Sequence, residues 1–144
     1  MEDIHVRSPK NNEWEEYFTV RYKTLREPWG QPKGSEKDSE EDSAVHAAAF
    51  YNNKIIGVAR LQKAEGTKGQ IRYMGVLSSF EGKGVGSKLL KYLETKAKEL
   101  GIETIILNAR ENALPFYRKN GYETFEKSYL LWGEIQHYLM QKSL

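Results

Sequence analysis

"LSSFEGKGVGSKLL", residues 77–90, joins an apolar run to an amphipathic pattern through three glycines at alternate positions. The preceding residues 70–77 predict a strand, and the apolar spacing from Val85 to Leu100 predicts a helix with one buried face. The first N–H groups of such a helix lack partners, and the helix dipole adds partial positive charge there. Because glycine lets oxygen atoms approach the backbone without a Cβ clash, the loop predicts a site for an anion such as a pyrophosphate.

Two common phosphate-binding motifs do not fit this loop. A Walker A motif needs Gly-Lys followed by Ser or Thr, whereas the order here is "GVGSK". A dinucleotide fingerprint that starts at Gly82 meets Ser87 at its third glycine position. That fingerprint also needs an acidic residue at the end of the next strand, where this chain has Asn108. Both alternatives therefore fail on residue identity.

The segments around the loop predict the order β-α-βββ-α-β-α-ββ. Short turns between neighbouring strands predict antiparallel pairs, and the strand–helix–strand unit from 70 to 109 predicts a right-handed parallel crossover. Asn12 and Glu15 resemble an N-cap pair at the start of the first helix. The predicted class is α/β (α+β), with a mixed, largely antiparallel central sheet flanked by helices. The predicted strands are 4–8, 44–51, 54–64, 70–77, 103–109, 122–132 and 134–141, and the predicted helices are 13–27, 85–100 and 112–120.

Length and composition limit the possible functions. The 144 residues fit a single domain, 1–144, and the net charge of +2 gives no reason to expect nucleic-acid binding. The absence of cysteine excludes disulfides, thiolate metal sites and a cysteine nucleophile. The three histidines show no metal-ligand spacing, so no metal is expected. No segment resembles a signal peptide or a membrane span, which predicts a cytoplasmic protein with no membrane partner.

Two segments carry a family resemblance. "MGVLSSFEGKGVGSKLLKYLE" (74–94) resembles the coenzyme A loop of the GNAT superfamily of N-acetyltransferases. The family pattern is Arg or Gln, two residues, Gly, any residue, then Gly or Ala, and its two glycines match Gly84 and Gly86. Glu81 stands where Arg or Gln is usual. "NARENALPFYRKNGYE" (108–123) resembles the family's strand-end Asn with the helix and turn that follow.

The resemblance extends over about residues 4–142 and implies a GNAT-like fold with acetyl-CoA as co-substrate. It implies that N–H groups of the glycine loop hold the pyrophosphate and that the preceding strand end offers its backbone to the pantetheine arm. The N–H near Val76 would donate to the thioester carbonyl oxygen. Asn108 would hold the pantetheine arm or an ordered water. The implied coenzyme-binding residues are Met74, Val76, Gly82, Lys83, Gly84, Val85, Gly86, Ser87 and Asn108.

Tyr117 is the predicted general acid. Transfer from a thioester expels a thiolate, and a neutral phenol can protonate it. A free thiol titrates near about 8.5 and a phenol near about 10, so the transfer is nearly balanced and geometry decides it. Two adjacent helical residues cannot both face one core, so either Phe116 or Tyr117 is expected to face a cleft. The alternative is that both rings pack in the core.

The general base is less well defined by the sequence. His46 lies on a predicted central strand and has the right titration range, which makes it a candidate base or substrate ligand. A packed, hydrogen-bonded histidine is the alternative at that position. Glu27 and Glu36 are comparable candidates, and a water chain to solvent is another route. The acidic stretch 36–42 is either a solvated loop or a wall that attracts a cationic substrate.

The predicted function is transfer of an acetyl group from acetyl-CoA to a primary amine. Without cysteine for an acyl-enzyme, direct attack by the neutral amine is expected. The expected acceptor is a small molecule or a peptide, and the resemblance leaves a homodimer possible. Two alternatives stay open: a non-catalytic acyl-CoA-binding sensor or scaffold, and a plain interaction module.

Overall fold

Seven strands form one mixed sheet in the computed structural model, which describes residues 3–144. The strands are β1 (His5–Arg7), β2 (Val45–Tyr51), β3 (Lys54–Lys63), β4 (Lys68–Val76), β5 (Thr104–Arg110), β6 (Glu123–Leu131) and β7 (Ile135–Ser143). The helices are α1 (Trp14–Leu25), α2 (Val85–Glu99) and α3 (Leu114–Lys119). Short 3₁₀ turns lie at Asn11–Glu13, Glu27–Trp29, Glu41–Ser43, Ser78–Phe80 and Glu111–Ala113.

The sheet has the order β1-β2-β3-β4-β5-β7-β6, and every neighbouring pair except β4–β5 is antiparallel. Asn52 and Asn53 take left-handed φ values of 51° and 62°, which close the tight β2–β3 hairpin. Helix α2 forms the crossover between the parallel strands β4 and β5, as expected for a strand–helix–strand unit. The fold class that the sequence predicts is therefore confirmed.

Helices cover both faces of the sheet. One face packs under α2, whose apolar stripe of Leu89, Leu93 and Ala97 is fully buried. The other face packs under α1 through Tyr17 and Val20. In the part of the chain that the structure describes, no helix is long and apolar enough to cross a membrane.

Helix α1 does not begin as the sequence predicts. No side chain caps its first turn, so Asn12 and Glu15 do not form the expected pair. Instead the Glu13 carboxylate accepts a 2.7 Å hydrogen bond from the Lys10 N–H and pairs with Arg7 at 2.8 Å. The hydrogen bonds from Arg7 and the Lys10 backbone lower the pKa of Glu13 to about 2. An arginine from β1 therefore takes the place of a local cap.

The acidic stretch 36–42 is neither a solvated loop nor a free wall of negative charge. Asp38 lies 2.7 Å from a terminal nitrogen of Arg60, and Glu41 lies 2.7 Å from one of Arg21. Both guanidinium groups are fully buried. The hydrogen bond from Arg60 holds the pKa of Asp38 well below its usual range. The stretch is thus fixed onto the α1 face of the sheet, and two of its carboxylates neutralise buried arginines.

Candidate active site

Strands β4 and β5 separate halfway along their length. Their parallel pairing extends from Lys68 and Thr104 to Ile71 and Leu107 and then stops. A cavity of about 930 Å³ opens between the diverging strand ends. The ends of α1, the start of α2, helix α3 and the β6–β7 hairpin supply the remaining walls.

The backbone of β4 faces this gap with unpaired groups. The Leu77 N–H donates to the Ile56 carbonyl on β3 at 2.9 Å, so Leu77 points its backbone groups toward β3. Backbone groups alternate in direction along a regular strand, so those of Val76 point the other way, across the gap; the β3–β4 register is irregular at Tyr73 and Met74. An extended ligand could therefore pair with β4 as an added strand would.

The glycine loop ends the cavity at the start of α2. Gly84 takes a φ of +80°, a left-handed conformation that side chains rarely adopt, and Val85 begins the helix. The Lys88 N–H donates to the Gly84 carbonyl at 3.1 Å, which makes it the first intrahelical bond. The three N–H groups before it have no intrahelical acceptor and sit at the positive end of the helix dipole. This geometry suits an anion.

Gly86 is closely packed against α3. A Cβ atom at this position would lie 2.8 Å from Cζ of Phe116, closer than side-chain carbons pack. The Phe116 ring on α3 therefore rests on the bare backbone of α2 and holds the two helices together. No atom lies within 4 Å of the position that a Gly84 Cβ would take, so the two glycines of the motif serve different purposes.

Tyr117 lines the cavity beside β4. Its hydroxyl lies 3.7 Å from the Met74 sulfur, and its ring packs edge-on against Phe116 and Tyr122. Burial raises the pKa of Tyr117 to about 12, although Arg110 acts in the opposite direction. The phenol is therefore protonated at neutral pH and able to donate a proton.

The structure brings nearly all the predicted coenzyme-binding residues to this cavity. Asn108 lines it from β5, at the point where that strand has left β4. Lys83 is the exception, because it is exposed and does not line the cavity. The residues that do line it are Met74, Val76, Gly82, Gly84, Val85, Gly86, Ser87, Asn108 and Tyr117.

His46 lies away from the cavity, packed between β2 and α1. Its Nδ1 is 2.9 Å from the Tyr17 hydroxyl, and its Nε2 is 2.8 Å from the Glu41 carbonyl oxygen. The ring packs edge-on against Trp14, and burial lowers the pKa of His46. Both nitrogens are engaged in the protein interior, so His46 has a packing role.

The two glutamates considered as bases also lie outside the cavity lining. The Glu36 carboxylate is buried and accepts a 2.8 Å hydrogen bond from the Gly34 N–H. This bond stabilises the local turn that contains both residues. Glu27 is exposed, at the start of a 3₁₀ turn after α1.

His137 is the histidine that the structure does bring to the cavity. It lies on β7, is 6% exposed, and stacks on Tyr129 with ring centroids 4.4 Å apart. Its Nδ1 lies 3.0 Å from the Ile135 carbonyl oxygen, which can only accept, so Nδ1 carries the proton and Nε2 has a free lone pair. Burial lowers the pKa of His137, and Arg110 lowers it further. One signal in the sequence could have identified it: His137 lies two residues after Ile135, on the same face of the predicted strand, where an apolar residue is expected.

Aromatic and basic side chains complete the cavity on the α1 side of the sheet. Trp29 and Trp132 meet with ring centroids 6.3 Å apart, and each is a little over one third exposed. Arg26 and Arg110 line the same cavity. Glu81, at the glycine loop, is the one carboxylate that lines it within residues 3–144.

Comparisons with known proteins agree with this geometry. The family model described as Acetyltransferase (GNAT) family matches residues 10–122. The N-acetyltransferase YjcF of Bacillus subtilis, itself uncharacterised, is 32% identical over 125 residues, which cover 87% of this chain and 89% of YjcF. A second relative from B. subtilis, the uncharacterised N-acetyltransferase YitI, is 24% identical over 136 residues, covering 90% and 91% of the two chains.

Solved structures share the fold. A Lactobacillus plantarum protein described as an N-acetyltransferase superposes with a TM-score of 0.86 at 19% identity, covering 98% of each chain. An aminoglycoside 6'-N-acetyltransferase in complex with coenzyme A superposes with a TM-score of 0.82 at 17% identity, covering 96% of each chain. At these identities the likeness concerns the fold alone.

Proposed function

The chain belongs to the acetyltransferase (GNAT) family, and we propose that its acetyl-CoA site lies in the gap between β4 and β5. The protein is an acyl-CoA-dependent N-acetyltransferase. The observation that supports this location most strongly is the separation of the strands after Ile71 and Leu107, which leaves the β4 backbone unpaired beside a glycine loop. The cavity volume of about 930 Å³ is large enough to hold the arm of the coenzyme together with an acceptor.

The coenzyme-binding residues divide into two groups. The N–H groups of Val85, Gly86 and Ser87 would receive the pyrophosphate, because they start α2 without intrahelical acceptors. Val76 would pair with an amide of the pantetheine arm through backbone groups that point across the gap, and Met74, which also lines the cavity, would contact the arm. Asn108, on the opposite strand, would hold the arm or a water from the other side.

The reaction that fits these groups is direct attack of a neutral amine on the thioester carbon. The nitrogen lone pair forms the new C–N bond, and the C–S bond breaks with its electrons on sulfur. The Val76 N–H would donate to the carbonyl oxygen as negative charge develops there. The Tyr117 hydroxyl, protonated at neutral pH, would give its proton to the departing sulfur. Burial raises the pKa of Tyr117 to about 12 and so weakens the acid, whereas the nearby Arg110 charge acts in the opposite direction.

His137 would accept the proton that the amine loses. Its Nε2 has a free lone pair in a cavity wall, and its lowered pKa keeps the ring neutral at pH 7. This assignment replaces His46, whose nitrogens are engaged elsewhere. The proton balance then closes within the protein: one proton leaves Tyr117 for sulfur, and one moves from nitrogen to His137.

Binding and turnover test the proposal together. Coenzyme A at a hundred times its Kd should stabilise the protein by about 2.7 kcal/mol, measured as a thermal shift. Thiol release from acetyl-CoA is then followed across a panel of polyamines, amino acids, aminoglycosides and peptides. A shift without thiol release for any acceptor would favour a sensor or scaffold. The absence of any shift at millimolar coenzyme A would contradict the proposed site.

The assembly of the protein is a second proposal, supported by strand β6. Phe125 and Leu130 on this edge strand are 64% and 54% exposed. Large apolar side chains on a free sheet edge favour association with another chain. Two copies would pair through this edge as a homodimer. Light scattering should give twice the chain mass, and Phe125→Lys should give a monomer; a monomeric wild type would contradict pairing.

A cytoplasmic location and a single catalytic domain spanning 1–144 stay predictions.

A further inference from the structure

We propose that the amine accepted by this protein also carries a carboxylate, as an amino acid does. The inference deepens the proposed acetyltransferase site and rests on it, because it names the chemical class of the acceptor. It follows from the charges that line the α1 side of the cavity and from the partners that those charges lack.

The arginines of the chain divide clearly by their partners. Four of the seven pair with carboxylates within 4.0 Å: Arg7, Arg21, Arg60 and Arg72. Arg118 lies on the exposed surface of α3 and donates to the Thr124 hydroxyl at 3.1 Å. The other two, Arg26 and Arg110, line the cavity, and neither has a carboxylate partner among residues 3–144.

Arg110 stands next to the proposed chemistry. It is the last residue of β5 and lies directly opposite His137 in the β5–β7 register. Its positive charge lowers the pKa of both His137 and Tyr117, which places its guanidinium within electrostatic range of the proposed base and acid. The structure provides no hydrogen-bond acceptor for its side chain in the described part of the chain. The five donors of that guanidinium are therefore free for a ligand.

Arg26 approaches the cavity from the end of α1. Its guanidinium carbon lies 5.6 Å from the Tyr73 ring centroid and 5.5 Å from that of Trp132, and its Nε donates to the Ser35 carbonyl at 3.2 Å. A second hydrogen bond, from a terminal nitrogen to the Leu25 carbonyl at 3.2 Å, and the aromatic rings fix the orientation of the side chain, and no carboxylate forms an ion pair with it within residues 3–144. Burial lowers the pKa of Arg26, which indicates that solvent stabilises its charge poorly. A bound anion would stabilise that charge.

The acidic residues of the protein cannot serve a cationic acceptor at this site. Asp38 and Glu41 are committed to Arg21 and Arg60, and the remaining lining carboxylate, Glu81, is at the glycine loop. A polyamine would therefore meet four cationic side chains, those of Arg26, Arg72, Arg110 and Lys119, against the single lining carboxylate of Glu81 within residues 3–144. An acceptor with a carboxylate gains charge-assisted, potentially bidentate hydrogen bonds from an arginine, and its amine can still reach His137.

Trp29 and Trp132 add a preference for the rest of the acceptor. The two rings meet at the cavity mouth, partly exposed, and offer apolar faces beside Arg26. A flat or bulky apolar group on the acceptor would cover them. Phenylalanine and tryptophan, as probes, combine all three features: an amine, a carboxylate and an aromatic ring.

Matched acceptors test the role of the carboxylate. The kcat/KM for phenylalanine is compared with that for phenylalaninamide, which keeps the size but loses the charge, and with that for phenethylamine; tryptophan and tryptamine repeat the comparison. The amine of phenylalaninamide has a lower pKa than that of phenylalanine, because no carboxylate stabilises its charged form. A larger fraction of the amide is therefore in the neutral, reactive form, and this effect alone would favour the amide. A preference of about ten- to a hundred-fold for the acid, the range expected for a charged hydrogen bond, must then come from the carboxylate. Equal or faster turnover of the amide would overturn the proposal.

Arginine variants locate the effect. Arg26→Gln and Arg110→Gln should each lower the ratio of kcat/KM for phenylalanine to that for the amide about ten-fold or more, since only the acid loses a charged partner. The ratio is the readout because Arg110 also lowers the pKa of His137 and Tyr117, an effect that both acceptors share. Arg118→Gln, an exposed arginine outside the cavity, is the control and should leave both values unchanged. An unchanged acid-to-amide ratio with a raised KM for acetyl-CoA would assign the arginines to the coenzyme and defeat the proposal.

A binding measurement separates this proposal from the catalytic one. Calorimetry of phenylalanine and phenylalaninamide with the coenzyme A-saturated protein reads the carboxylate preference without turnover. Tighter binding of the acid, lost in Arg110→Gln, supports the acceptor class even if none of the acids tested is acetylated. Equal binding of the acid and the amide contradicts it, whether or not thiol is released.

Discussion

The two carboxylate oxygens of Asp38 accept hydrogen bonds from the two terminal nitrogens of Arg60, at 2.7 and 2.9 Å. Arg60 is fully buried on a central strand, and Glu41 also lies 3.1 Å from one of its nitrogens. The Tyr73 hydroxyl donates to the same Asp38 carboxylate at 3.2 Å. Because Tyr73 belongs to β4 and has a strained φ of +56°, this pair anchors the strand that forms one wall of the cavity.

Asp38→Asn should lower the free energy of unfolding by about 3 kcal/mol, toward the low end of the cost of breaking a buried pair, because Glu41 still compensates Arg60. Denaturant titration measures the change. Asp42→Asn, an exposed acid in the same segment without an ion pair among the described residues, should cost almost nothing. The pKa of Asp38 is lowered by folding, so its contribution is complete above about pH 4 and is lost as the pH falls below that. The difference between wild type and Asp38→Asn should therefore shrink toward pH 2.

Tyr117→Phe should reduce kcat about a hundred-fold, the usual scale of general-acid catalysis. The change removes one hydroxyl and little volume, so the packing against Phe116 and Tyr122 should survive. KM for acetyl-CoA should change much less, because the phenol matters once negative charge develops on sulfur. Steady-state kinetics and a melting curve measure both. Near-full kcat in a folded variant would show that solvent protonates the thiolate.

His137→Gln should remove the acidic limb of the pH profile of kcat. With the pKa of His137 lowered by burial, the wild-type rate should fall only at a pH below the usual titration range of histidine, where the ring becomes protonated and can no longer accept a proton. The charged and titratable groups near this ring are Arg110 and Tyr129. His5→Gln, an exposed histidine on β1, should keep the wild-type profile. A profile that His137→Gln does not alter would rule out His137 as the base.

Gly84→Asn should raise KM for acetyl-CoA at least several-fold without unfolding the protein. Asparagine tolerates the left-handed φ of +80° better than other side chains, and no protein atom lies within 4 Å of the new Cβ. The added side chain would enter the space proposed for the pyrophosphate. Gly66→Asn places the same residue in the β3–β4 turn, with a φ of +63° and equally open surroundings, and should not change KM. Equal KM values in the two variants would remove the loop from the coenzyme site.

The order of the elements could be predicted because each is encoded locally. The Asn52–Asn53 pair and Gly133 mark hairpin turns, and the apolar spacing after Gly84 marks one face of α2. The start of α1 was misjudged because Arg7, on another element, satisfies Glu13 in place of a local cap. Local patterns therefore gave the architecture but not the contacts between elements.

The charges and the base could not be predicted because they depend on long-range contacts. Asp38 and Arg60 are 22 positions apart, so the sequence leaves the acidic stretch as either a solvated loop or a wall that attracts a cationic substrate, whereas in the structure β3 places an arginine against it. Both His46 and His137 lie on strands, and the sequence does not say which strand borders the gap. Insertion of β7 between β5 and β6 brings His137 next to Arg110, while His46 faces α1.

The contact between Gly86 and Phe116 has a consequence for how relatives of this protein can vary. The two residues belong to the two segments that carry the family resemblance, and a Cβ at position 86 would collide with the Phe116 ring. The two segments thus pack directly against each other, and a mutation at either position changes which side chains fit at the other. Relatives with alanine in place of Gly86 should compensate with a smaller side chain in place of Phe116, so that the two positions drift together over evolutionary time.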